Sequence, residues 1–181
     1  MPKRKRSPAK PPSSRYLCPR CGKYHDGPAL HYGFEAPLAR YGIPEGERDR
    51  RTVLSSDQCI IDEEHFFIVG NLEIPVLEHD ESFSWDVWVS LSAKNFARAC
   101  KLWETPGRES EPSYFGWLSS SVPGYPESLN LKTRVHTREV GVRPRIELEP
   151  TDHPLAVEQR TGITWNRVLQ IAEIVLHGSP G

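Results

Sequence analysis

The chain has 181 residues, a single methionine and only four cysteines. No apolar run approaches the roughly 20 residues that a membrane-spanning helix needs, so a membrane protein of the helical kind is not expected. The first residues are basic but have no apolar stretch behind them, which argues against a secretory signal. Four cysteines are too few to scaffold a domain of this size with disulfides. There is no Gly-x-Ser-x-Gly elbow, phosphate-binding Gly-x4-Gly-Lys loop, Gly-x-Gly-x-x-Gly fingerprint or His-Glu-x-x-His motif. Those absences remove the common esterase, nucleotide, hydride-transfer and zinc-protease readings. The sequence therefore predicts a soluble protein of the reducing cytoplasm.

What is present suffices for a core. Apolar residues make up 37 %, among them 5 Trp, 6 Tyr and 6 Phe, which suits one domain plus a tail. The 17 prolines favour many turns over long helices. Charge is uneven. Lys3, Arg4, Lys5, Arg6, Lys10 and Arg15 give residues 1–15 a charge of +6, leaving −7 on the remainder. A basic, Pro-rich segment of this kind is expected to be disordered, and residues 16–181 to form a single α+β domain. Nucleic acid is not expected on the acidic body, although the basic tail could meet it. The sequence leaves the oligomeric state open.

From residue 57 the pattern is that of strands. "DQCIID", "HFFIVG" and "NLEIPV" are short apolar runs, and "FSWDVWVSLS" alternates, with Phe83, Trp85, Val87 and Val89 on one side and Trp88 on the other. "LKTRVHTREV" and "RPRIELEP" read as two further strands. Helices are predicted after Pro44, over "SAKNFARACKLWE" with Ser92 as N-cap, after Asp152, and after Thr164 up to Gly178. In the last of these, Val168, Ile171, Ala172, Val175 and Leu176 form the apolar face. The whole reads as α+β, a central, largely antiparallel sheet with flanking helices.

The strongest motif is Cys18-Pro19-Arg20-Cys21-Gly22, spanned by residues 16–27. Two thiolates two residues apart can turn both sulfurs onto one soft metal, and zinc is the metal expected. Gly22 tolerates the left-handed backbone such a turn requires. His25 stands close enough to be a third ligand and Cys59 is the candidate fourth, brought in by the fold. His31 and His65 are further candidates. The alternative for Cys59 is a small apolar residue in a buried strand, and Cys100 reads as packing. Residues 22–28 resist helix, which disfavours a thioredoxin-like redox role. Structural zinc is expected over catalytic zinc.

The segments "CPRCGKYH", "SSDQCIID", "HFFIVGNLEIPV", "FSWDVWVSLSAKNF", "YFGWLSSSVPGYP", "LNLKTRVHT" and "EPTDHPLAVEQRTGIT" together resemble an uncharacterised, mainly bacterial group, domain-of-unknown-function family 2199. The resemblance covers about residues 17–177. It implies a stand-alone cytosolic domain, a cysteine knuckle and a cysteine at the position of Cys59, and no nameable activity. Asp86 stands where the family pattern leads one to expect glycine.

Other residues could carry chemistry. His153 beside Asp152 is the most enzyme-like pair, with His136 a second imidazole suited to acid–base work. The blander reading has Asp152 capping a helix and His153 packed at the corner. Arg143 could receive an anion or pair with Glu147 or Glu149. Tyr114, Trp117 and Tyr125, in an aromatic, proline-rich loop over 112–126, could line a recognition surface or plug the sheet. The sequence thus favours a zinc-stabilised, protein-binding module. The alternative is a hydrolase- or transferase-like enzyme using His153 and acidic neighbours, with or without catalytic zinc.

Overall fold

A computed structural model describes residues 15–77 and 79–178. Residues 1–14, most of the predicted tail, lie outside it. Arg15 does not belong to a tail, because it opens the first strand.

In chain order the elements are β1 (Arg15–Leu17), β2 (Tyr24–Asp26), β3 (His31–Gly33), α1 (Leu38–Tyr41), α2 (Glu45–Arg51), β4 (Thr52–Leu54), β5 (Gln58–Ile61), β6 (His65–Ile74) and β7 (Phe83–Leu91). They continue with α3 (Ala93–Lys101), β8 (Tyr114–Leu118), β9 (Lys132–His136), β10 (Arg145–Leu148), α4 (Pro154–Thr161) and α5 (Trp165–His177). Helices and strands are mixed, as expected.

The expected central sheet is closed on itself. Strands β6, β7, β8, β9 and β10 pair in succession, antiparallel at each step, and β10 returns to β6 in a parallel pairing through Arg145 and Asn71. The result is a five-stranded barrel. Parallel β3 on β7 and antiparallel β5 and β4 beyond β6 extend it. Strands β1 and β2 form a separate antiparallel pair.

Two predicted strands, "HFFIVG" and "NLEIPV", prove to be the single β6. Gly70 looked like a break between them. Its role is close approach: a Cβ there would stand 2.6 Å from Ile146 Cδ1 and 2.7 Å from the Pro144 carbonyl oxygen. A side chain at that point would push β10 off β6 and open the barrel. Gly116 does the same between β8 and β7, where a Cβ would run into Val89 Cγ1 and the Ser90 carbonyl oxygen.

The alternation read in the sequence sets the interior. Leu72, Phe83, Trp85, Val87, Val89, Leu118, Val135 and Ile146 form one buried cluster, joined by Phe96 of α3, Leu155 of α4, and Val168 and Ile171 of α5. Burying each of the larger aliphatic side chains is worth about 1.5–3 kcal/mol. The opposite faces of β6 and β7 are also covered. Phe67, Val69 and Trp88 pack with Ile43, Cys59 and Ile61 in a second cluster, and the Trp88 indole N–H donates to the Phe34 carbonyl.

The caps agree with the sequence at α3 and α5, where Ser92 accepts from the Asn95 N–H and Thr164 from the Arg167 N–H. At α4 the cap is His153, whose Nδ1 accepts from the Leu155 N–H, and not Asp152. Among the described residues no helix is long and apolar enough to cross a membrane.

Candidate metal centre

The β1–β2 hairpin builds the turn that carries the cysteines. Tyr16 pairs with His25 and Leu17 with Tyr24 across it. The turn closes with the Cys18 N–H on the Lys23 carbonyl and the Gly22 N–H on the Cys18 carbonyl, both at 2.9 Å. Gly22 has φ +67°, the left-handed conformation that glycine adopts without steric cost. This backbone aims both sulfurs to one side, toward His25 on β2.

The fourth member comes from the other end of the described chain. His177, the last residue of α5, joins Cys18, Cys21 and His25 so that one ligand atom from each lies within 4.8 Å of all the others. Cys18 Sγ is 3.4 Å from His177 Nε2 and Cys21 Sγ is 3.1 Å from His25 Nε2. Sulfur and nitrogen donors bound at ordinary tetrahedral zinc distances stand roughly 3.3–3.8 Å apart, so the spacing is close to that of a ligand set. Two sulfurs and two imidazole nitrogens suit a borderline-soft ion and not magnesium or calcium. The group could hold a metal ion.

The surroundings fit. Cys18 is fully buried, Cys21 is exposed, and the His25 ring meets His177 edge-on at 5.6 Å and Tyr16 at 5.7 Å. The Tyr16 hydroxyl is buried without a hydrogen-bond partner. Burial, then the nearby Cys18 thiol, raises its pKa above the ordinary phenol value. The Arg20 guanidinium donates to the Gly178 carbonyl, a second tie between the cysteine turn and the end of α5.

Cys59 is not brought to this group. It lies on β5, fully buried with Phe67, Val69 and Trp88, and burial pushes its thiol up to about 11. Of the two readings offered for it, the apolar one describes its placement. His31 is also elsewhere, 2.9 Å from Asp86, and His65 begins β6. His177 was missed. It lies 159 positions from Cys18, and a histidine in the last turn of a helix is already favoured by the helix dipole, so nothing local marks it as a ligand.

The other candidate residues are dispersed. His153 caps α4, with Nε2 buried and unpartnered, and Asp152 is exposed beside it. His136 sits on β9, 2.6 Å from Glu147. No contact among the described residues joins His153 to His136 or to the cysteine group. Arg143 pairs with neither Glu147 nor Glu149. It spans Asp57 and the buried Asp86, and also donates to the Ser56 carbonyl.

Residues 114–118 of the aromatic loop form β8, and the alternation of that strand sorts their side chains. Tyr114 points inward and is buried in the barrel cluster, whereas Phe115 and Trp117 point outward, 5.1 Å apart and 37 % and 40 % exposed. Opposite them on β9 stand Arg134 and Lys132. Tyr125 is not on that surface. Its hydroxyl donates to Glu158, Arg167 lies over its ring at 5.0 Å, and its pKa is raised by burial and then by Glu158.

Comparison with known sequences gives a family and no activity. Residues 17–163 match the family described as an uncharacterised protein conserved in bacteria, domain-of-unknown-function family 2199, and the chain belongs to it. Among curated proteins and solved structures, none matches the chain. His177 falls outside the matched segment, although the other three members of the metal group fall inside it.

Proposed function

We propose that this chain is a cytoplasmic, protein-binding module in which a structural zinc ion held by Cys18, Cys21, His25 and His177 clasps the β1–β2 hairpin to the end of α5. The observation that carries the reading is the convergence of four donor atoms within 4.8 Å from a hairpin turn and a distant helix end. With all four tetrahedral positions taken by protein, such a site stabilises structure and leaves no position for substrate. The scatter of His153, His136 and Arg143 over separate contacts supports a binding role over an acid–base one.

The surface best suited to a protein partner is the outer face of β8. An exposed Trp–Phe pair opposite Arg134 and Lys132 has the composition of an interface anchor. Two measurements test the proposal. Zinc in the purified chain, removed by Cys18→Ser and by His177→Ala, tests the clasp. Trp117→Ser tests the surface. It should abolish capture of a specific protein from the native host while zinc content and melting temperature stay those of the wild type. A variant that captures the same protein equally well contradicts the assignment of the face.

A further inference from the structure

The metal group is asymmetric in a way that a purely structural site does not require. Cys21 is exposed and Cys18 is fully buried, and they are separated by two residues in one tight turn. Of the donor atoms, only the two sulfurs can be oxidised under mild conditions, and exposure selects which is reached first. The other two cysteines are poorly placed for this chemistry: Cys59 is buried with its thiol pushed up to about 11, and burial also raises Cys100.

The far side of the group is equally one-sided. The buried contacts of α5 are made by Val168, Ile171 and Ala172, whereas Val175 and Leu176 in its last turn are exposed. That turn is attached to the rest of the protein through His177, on Cys18 and His25, through the Arg20 guanidinium on the Gly178 carbonyl, and through the half-buried Ile174, whose Cδ1 lies beside Gly124. Whatever removes the sulfurs from the group removes the tie through His177 and leaves the helix end with only the exposed Arg20 bond and the Ile174 contact.

We infer that Cys21 and Cys18 form a peroxide-sensitive modification site, whose oxidation to an intrachain disulfide ejects the metal and undocks the last turn of α5. The inference rests on the zinc clasp proposed above. Cys21 thiolate attacks a peroxide oxygen, the O–O bond breaks, and the products are a sulfenic acid on Cys21 and hydroxide. Cys18 thiolate then attacks the Cys21 sulfur, forming the S–S bond and expelling the sulfenic oxygen as a second hydroxide. The two thiolates lose two electrons and hydrogen peroxide gains them, the hydroxides becoming water with two protons from solvent. A disulfide does not supply thiolates to the metal, and two imidazoles alone are left. A thiol reductant and zinc restore the site.

The test uses the full-length chain. Zinc is first quantified as purified; its absence overturns the clasp and this inference together. The zinc form is then treated with hydrogen peroxide while a chromophoric chelator reports released metal. Peptide mass spectrometry after thiol alkylation locates the oxidised cysteines, and amide exchange follows residues 174–178. The expected result is zinc release in step with a Cys18–Cys21 disulfide, faster exchange confined to the hairpin and the end of α5, unmodified Cys59 and Cys100, and recovery with dithiothreitol and zinc. Zinc present but retained under peroxide, or released with Cys21 driven irreversibly to sulfinic acid and no disulfide, overturns the inference while leaving the clasp intact. So does zinc release without a change in exchange at residues 174–178.

Discussion

The barrel and the cysteine hairpin of this protein are held by different physics. The barrel buries large apolar side chains, Trp85, Phe83, Leu72 and Ile146 among them, nearly free of solvent. Its cohesion is spread over many contacts that neither pH nor metal changes. The hairpin has three-residue strands and no comparable core: Leu17 and Tyr24, directly opposite each other, are both more than half exposed. A two-stranded ribbon of that kind is marginal in water, and the proposed clasp through Cys18, Cys21, His25 and His177 would supply what its core lacks. One region is stable by bulk and the other by a few conditional bonds, and conditional bonds are where control can be exerted.

The largest expected effect breaks the barrel side of that contrast. Trp85→Ala removes a buried ring that contacts Phe83, Tyr32 and Phe34, and should cost about 3–5 kcal/mol in denaturant unfolding. Gly70→Val drives a side chain into Ile146 and the Pro144 carbonyl; a loss of about 1–3 kcal/mol is expected. If Gly70→Val were neutral by the same measurement, β6 and β10 would not be in contact as described.

Cys59→Ala sharpens the contrast. Cys59 is in the second cluster and not in the metal group. The variant should lose about 1 kcal/mol of stability and keep its full zinc content by elemental analysis. Zinc lost from Cys59→Ala would return it to the ligand set.

The smallest expected effect concerns an ion pair on the barrel's flank. Burial pushes the Asp57 carboxyl up, but the Ser56 hydroxyl and the Arg143 guanidinium outweigh it and hold the carboxyl below its usual range. A lowered folded-state pKa gives stability that is present above the unfolded value of about 3.9 and is lost as pH falls through the folded value. Asp57→Asn, which leaves Arg143 on Asp86, should therefore cost under about 1 kcal/mol at pH 7, with the gap to wild type narrowing as pH falls below that unfolded value. A gap that is constant with pH would assign the loss to packing alone.

Periodicity carried most of the secondary structure, because alternation in "FSWDVWVSLS" and the caps Ser92 and Thr164 are local signals. Closure was not legible. It depends on Gly70 and Gly116 making room between strands distant in sequence, and in one dimension Gly70 looks like a break. The same limit applied to the site. Cys18, Cys21 and His25 share one hairpin and could be read together, whereas His177 arrives through the packing of α5. For the fourth position the sequence offered Cys59, which chemistry allows and the fold places elsewhere. Val175 and Leu176 were assigned to the apolar face of α5 by spacing, yet they are exposed, since the helix runs past the edge of the core and ends on the hairpin. In "PSYFGWL" the aromatics suggested one surface, but β-alternation divides them, Tyr114 inside and Trp117 outside.

The central claim is that one metal ion joins the two ends of the described chain, and zinc stoichiometry of full-length wild type beside His177→Ala tests it most directly. The account predicts one zinc per wild-type chain and loss of that zinc to a competing chelator in the variant. The barrel should remain folded by circular dichroism, and exchange should rise only at the hairpin and the end of α5. Wild type without zinc, or a His177→Ala chain that holds zinc as firmly as wild type, would contradict it.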